Sequence, residues 1–203
     1  MNKVIKWLLI PLFIILVIYF AYNIYSFIVL DNLFDGTIYT KKDLIENYES
    51  KQKEIIELKT YFESILPEEK EVTIEFERRK LAIFHITDEH GKRDFNWNLK
   101  IKSKKVDSLN DILGWNQETL TELKSKLDKA NCVSIEKKSQ ITIGFQRSGM
   151  GMYFYKLFDK KLNDSLISKY NDGCQYSYFN ENVVLEYNGG AIGPQCFQDF
   201  RRK

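Results

Sequence analysis

From Trp7 to Leu30 the chain runs 24 residues without a charged side chain, interrupted only by Pro11, Asn23 and Ser26. As a helix rising about 1.5 Å per residue, this stretch reaches roughly 36 Å, enough to cross a bilayer with some tilt. Pro11 falls in the first turn, where a missing N–H costs little. Tyr19, Tyr22, Tyr25 and Phe27 gather near the far end, where amphipathic rings suit the headgroup level. The pattern predicts an uncleaved transmembrane helix that meets the lipid bilayer through residues 7–30. A cleaved signal peptide is the rival, but it needs a shorter apolar run closed by a small-x-small site, and Ala21 and Ser26 lack that spacing. No Cys follows the run to support lipoprotein processing.

Residues 1–30 are thus read as a short tail and span, 31–40 as a linker, and 41–203 as one domain. Thr40 stands three residues before Asp43, a capping-box start. Leu44, Ile45, Tyr48, Ile55, Leu58, Phe62, Ile65 and Leu66 then form a helical stripe, closed by Pro67. This is the expected stalk helix. Alternation takes over with Val72, Ile74 and Phe76 against Thr73, Glu75 and Glu77, which predicts a half-buried strand. A second strand is predicted over 80–87 and a turn at Asp88–Gly91. A third carries Phe95, Trp97, Leu99 and Ile101 on one face. Helices are expected at 107–114, ending at Gly114, and at 117–130, capped by Asn116 with Leu120, Leu123 and Leu127 on one side. Strands follow at 132–136, 141–147 and 152–158, a helix at 160–170, and a strand pair at 174–179 and 183–187. Runs of strands broken by helices predict a mainly antiparallel α+β domain.

Charge adds direction to this layout. The net +2 comes from Lys3 and Lys6, while residues 31–203 hold 28 basic and 28 acidic side chains. A neutral domain lacks the footprint of a nucleic-acid binder, so no nucleic-acid partner is expected. With 44% apolar and 14% aromatic residues it is too hydrophobic to be disordered. Lysines before the span, and Asp31 and Asp35 just after it, place the N-terminus inside. The domain then lies in the periplasm, tethered to the cytoplasmic membrane.

Chemistry is harder to find. His85 and His90 are the only histidines; their spacing on a strand end and turn does not match a zinc motif, and no metal or cofactor is expected. The glycines near Gly149 and Gly190 precede no helix that could cradle phosphate, and Ser148 is not in a nucleophile elbow. Lys100, Lys102, Lys104 and Lys105 read as the solvated side of a strand. Of three cysteines, Cys174 and Cys196 are the expected disulfide, since the loop after the last strand pair brings the chain back toward Cys174. Cys132 is an apolar filler beside Val133. Six of the ten glycines fall in or beside the turn at 147–152 and the loop at 188–195. These segments supply the candidate binding residues: Arg147 as a forked donor to a carboxylate or phosphate, with Ser148, Gly149, Gly189, Gly190 and Gly193 around it.

In GFQRSGMG at 144–151, DKKLNDSLI at 159–167 and VVLEYNGGAIGPQCFQD at 183–199, the chain resembles a family of small membrane-anchored or lipoprotein-type proteins of Bacteroidota with no assigned function. The resemblance spans roughly residues 40–200. It implies a place in a Gram-negative cell envelope and no activity or site residue. The expected function is a non-catalytic binding domain for an envelope partner. The alternatives are a hydrolase using Cys174 or Ser148 with His85 or His90, and a structural subunit of a membrane complex.

Overall fold

The computed structural model describes residues 15–26, 37–188 and 193–198. Residues 15–26 are helical and are called α1. Among the described residues no helix is long and apolar enough to cross a membrane, and the expected span at 7–30 lies in large part outside them.

The remainder is an α+β fold. Its helices are α2 (Lys41–Ile65), α3 (Lys104–Leu113), α4 (Gln117–Lys129) and α5 (Asp164–Lys169). Its strands are β1 (Glu71–Glu77), β2 (Lys80–Thr87), β3 (Arg93–Asp94), β4 (Trp97–Lys100), β5 (Ser134–Lys137), β6 (Ile141–Ser148), β7 (Gly151–Leu157), β8 (Tyr176–Asn180) and β9 (Val183–Asn188). They build one sheet in the order β3-β2-β1-β5-β6-β7-β9-β8, with β4 also pairing along β2. Every strand pairing is antiparallel.

Local chemistry starts each helix where the sequence puts a cap. The Thr40 N–H donates to the Asp43 carboxylate at 2.7 Å and the Asp43 N–H donates back to Thr40 Oγ1 at 3.3 Å. The Thr40 N–H, and the Thr40 hydroxyl donating to the same carboxylate at 2.8 Å, hold the Asp43 carboxyl below its usual value. Ser103 and Asn116 cap α3 and α4, and Gly114 ends α3 in the left-handed region at φ 67°. Leu44, Tyr48, Ile55, Leu58 and Phe62 are buried along the whole of α2, so the helix packs on the domain from its first turn. It kinks at Lys51, just after Ser50 donates its hydroxyl to the Asn47 carbonyl at 3.1 Å; such back-bonding bends helices.

One hydrophobic core joins α2, α3 and α4 to a single face of the sheet, through Val72, Ile74, Phe84, Ile135, Ile143, Tyr155 and Leu185 among others. A polar node is set within it. Buried Asn47 donates to Tyr155 Oη at 3.1 Å and accepts from Asn131 at 2.9 Å, while the Tyr155 hydroxyl donates to the Leu44 carbonyl at 2.8 Å. Each group is paired, which is what lets amide and phenol sit among aliphatic chains.

Three expectations need correction. The third strand is split into β3 and β4, and its four apolar residues do not share a face. Phe95 and Trp97 are exposed, whereas Leu99 and Ile101 pack on the core. The reason is Asn98 at φ 53°, matched by a register shift opposite β2 between Glu75 and Phe76; the alternation is reset there. Next, α3 begins at Lys104 because Ser103 caps it, so Lys104 and Lys105 belong to a helix and not to a strand. Finally, α5 covers only 164–169, since Asn163 caps it late.

Candidate functional site

With α2, α3 and α4 on one face, the opposite face of the sheet is left for other work. Antiparallel partners point the same way, so the register spells this face out in rows. One row runs Trp97, Ile83, Glu75, Ser134, Gly144, Phe154, Glu186, Tyr176 across eight strands. The next runs His85, Thr73, Glu136, Thr142, Lys156, Val184, Tyr178. Glu75, Ser134 and Glu186 in the first row and Thr73, Glu136, Thr142 and Lys156 in the second are polar or charged, with Ile83, Phe154 and Val184 among them, and each row ends in an aromatic ring.

The central charges are paired within the chain. Arg147 grips both carboxylate oxygens of Glu75, with Nη2 at 2.5 Å from Oε2. Glu75 is 5% exposed and Arg147 43% exposed, so the carboxylate is buried and the guanidinium half solvated. Glu186 accepts from Lys156 Nζ at 2.9 Å and from Gln175 Nε2 at 3.1 Å. Glu136 accepts from Lys138 Nζ at 3.0 Å and from the Thr73 hydroxyl at 3.3 Å. Burial, with the Glu186 carboxylate adding to it, pushes the neighbouring Tyr176 hydroxyl up to about 12. A close approach completes the centre: a Cβ on Gly144 would stand 2.0 Å from Ser134 Oγ and 2.4 Å from Met152 Sδ, so only glycine lets those side chains lie over the strand.

The aromatic end at β2 is built differently. His85 stands edge-on to Phe95 and Trp97, with ring centres 4.7 and 4.8 Å away, and those two rings stack at 5.8 Å. Trp97 is 57% exposed and Phe95 47%. Nε2 of His85 is buried and has no hydrogen-bond partner among the described residues. Burial holds the imidazole below its ordinary pKa. A cavity of about 280 Å³ opens beside His85, Phe95 and Arg93, and one of about 220 Å³ beside Glu75, Arg147 and Met152. Thr73, Glu136 and Lys138 line both, so the two form one groove.

The residues singled out in the sequence divide. Arg147 does act as a forked donor to a carboxylate, but the carboxylate is Glu75 of the same chain. Ser148 is buried at the end of β6, and Gly149 makes the turn at φ 55°. Gly189 and Gly190 lie outside the described residues. Gly193 takes φ 80° beside Pro194, which bridges back to Asn188, and Asn188 pairs with Met152; the turn and the loop end therefore share one rim. Cys174 and Cys196 form a disulfide with Cα atoms 4.1 Å apart. It seats Phe197, fully buried, whose N–H donates to the Cys174 carbonyl at 3.0 Å.

Among the described residues, neither Cys174 nor Ser148 meets a histidine base. Cys174 has no thiol to offer, and burial pushes the Cys132 thiol far up. Three strand steps, about 14 Å, separate β2 with His85 from β6 with Ser148. His90 sits exposed in the turn beside Glu89. Among the described residues no group of three or more His, Cys, Asp or Glu is placed to hold a metal ion. On this face Glu75, Lys156 and Glu186 are not candidate site residues in the sequence, and His85 is one only as a metal ligand or as the base for a nucleophile. A lone carboxylate in the apolar run VVLEYN, and a lone lysine in YFYKLF, were the available signals. Comparison with protein-family models, with curated proteins and with solved structures finds no match.

Proposed function

We propose that this chain is a single-pass protein of the cytoplasmic membrane that presents a non-catalytic binding domain on the outer side, with the groove face taking the partner. The observation that carries this reading is the asymmetry of the sheet: α2, α3 and α4 cover one face, while the other offers a groove of pre-paired charges with exposed Phe95 and Trp97 at its β2 end. Side chains held in fixed ion pairs are organised for recognition and poorly suited to proton transfer. The anchor and its orientation are supported by the 24-residue uncharged stretch, by Lys3 and Lys6 ahead of it, and by the exposed apolar side chains of α1. The Cys174–Cys196 disulfide supports an oxidising compartment.

The test uses the full chain in cells. The protein should resist alkaline extraction, and protease added to spheroplasts should remove the domain. A photo-crosslinking side chain at position 97, on the groove face, should trap a partner, whereas one at exposed position 112 on α3 should not. Protection from protease until lysis, or equal trapping at both positions, defeats the proposal.

A further inference from the structure

We infer that the β2 end of the groove is a saccharide-binding site, taking a neutral sugar unit of an envelope glycan; this rests on the groove face being the binding face. Three observations on different atoms lead there. First, Phe95 and Trp97 form a stacked aromatic shelf that remains about half exposed beside the cavity. A flat apolar shelf open to water suits a ligand with one apolar face, such as the C–H face of a pyranose. Second, the cavity beside it is lined by groups that donate and accept in alternation: Glu71 and Glu136 accept, Arg93 and Lys138 donate, and the Thr73 and Thr87 hydroxyls do both. Vicinal hydroxyls, each donor and acceptor at once, match that lining. Third, His85 lines the cavity at its seam with the shelf, edge-on to both rings, and its buried Nε2 has no hydrogen-bond partner among the described residues.

Competing ligand classes fit less well. Two carboxylates and two cations line the cavity, so no net charge draws an anion such as phosphate. A quaternary ammonium would seek the face of Phe95, but the Arg93 guanidinium already lies 5.9 Å from that ring. A purely apolar ligand would leave the charged lining desolvated. At about 280 Å³ the cavity is at the small end for ligand sites, suited to one or two sugar units with the remaining chain running along the groove.

The experiment is saturation-transfer NMR on the full chain, held in a detergent without a sugar headgroup. The probes are neutral oligosaccharides of hexose and of N-acetylhexosamine, with choline and a sugar phosphate alongside. The site predicts transfer to at least one neutral oligosaccharide, strongest at the C–H protons of one ring face. Affinity should fall about tenfold in Trp97→Ala and largely return in Trp97→Phe, which restores a shelf. It should change little between about 0.05 and 0.5 M salt, since no ion pair with the ligand is involved. Trp97 is exposed, so neither variant should alter the melting temperature. The inference is overturned if no neutral oligosaccharide receives transfer at about 10 mM, if affinity is unchanged in Trp97→Ala, or if only choline or the sugar phosphate binds. Should sugars fail while position 97 still traps a partner in cells, the saccharide is wrong and the binding face stands. Failure of both removes the binding face as well.

Discussion

Replacing Arg147 with alanine would strip Glu75, 5% exposed in the intact fold, of the one ion-pair partner it has among the described residues. Breaking a fully buried pair by removing one member costs about 3–5 kcal/mol, and an exposed pair is worth about 0–1 kcal/mol. Glu75 belongs to the first class, but Arg147 is 43% exposed, so water can enter where the guanidinium stood. That places the expected loss at about 2–3 kcal/mol, the range between those limits. For a domain of this size it corresponds to a fall of roughly 4–12 °C in melting temperature. Urea denaturation of Arg147→Ala, of Glu75→Met and of the double variant Glu75→Met/Arg147→Ala measures it as a cycle. The double variant should recover most of the loss, because neither charge is then stranded. A loss below about 0.5 kcal/mol in Arg147→Ala would show the pair to be solvated. A double variant as unstable as the single would show that Arg147 acts through packing and not through charge. Either result refutes the reasoning.

Other expectations concern separate parts of the fold. Reducing the Cys174–Cys196 bond, which closes a loop of 22 residues, should destabilise the domain by about 3 kcal/mol and free Phe197 for faster hydrogen exchange; unchanged exchange there would refute the link. Gly144→Ala should cost about 1–2 kcal/mol by displacing Met152 and Ser134, and Met152→Ala in the same chain should recover part of it, as chemical denaturation can check. His85 has its folded pKa lowered by burial, so its contribution to stability is complete above its ordinary value of 6.5. That contribution should be lost as pH falls through the lower folded value, and His85→Gln should flatten the slope of stability against pH in that acid range. For Asp43, lowered by the Thr40 N–H and hydroxyl, the same sign applies at a lower pH: Thr40→Ala should destabilise by about 1 kcal/mol at neutral pH and by less once Asp43 is protonated, the remainder being the lost cap on the Asp43 N–H, as denaturation at the two pH values checks.

Much of the architecture is legible in the sequence because local rules and packing agree there. Thr40, Asn116 and Gly114 mark helix ends by side-chain and backbone chemistry that needs no tertiary context. Val72, Ile74 and Phe76 alternate as a half-buried strand must. Periodicity misleads where one residue resets it. Asn98 with positive φ turns Trp97 outward while Leu99 packs inward; asparagine tolerates that conformation, but FNWNLKI holds two asparagines and does not tell which one is the hinge between faces. The groove is harder still to see. In an alternating strand Glu75 reads as a solvated residue, and its burial depends on Arg147, seventy-two positions away. Which carboxylates meet which cations is decided by strand order, and the β1–β5 pairing that joins the two halves of the sheet has no sequence signal. Arg147 shows the limit well: its chemistry as a carboxylate fork was readable, and the owner of the carboxylate was not.

The most direct measurement of the central claim is hydroxyl-radical footprinting of the full chain in native membranes and again after purification in a sugar-free detergent. The groove face carries its own reporters: Phe95 and Trp97 at one end, Tyr176 and Tyr178 at the other. If this face binds an envelope partner, Trp97 and Phe95 should be protected in native membranes and become labelled on purification, while exposed Ile56 and Ile112 on α2 and α3 label equally in both. Equal labelling of Trp97 in the two states, or protection confined to the helix side, would contradict the account.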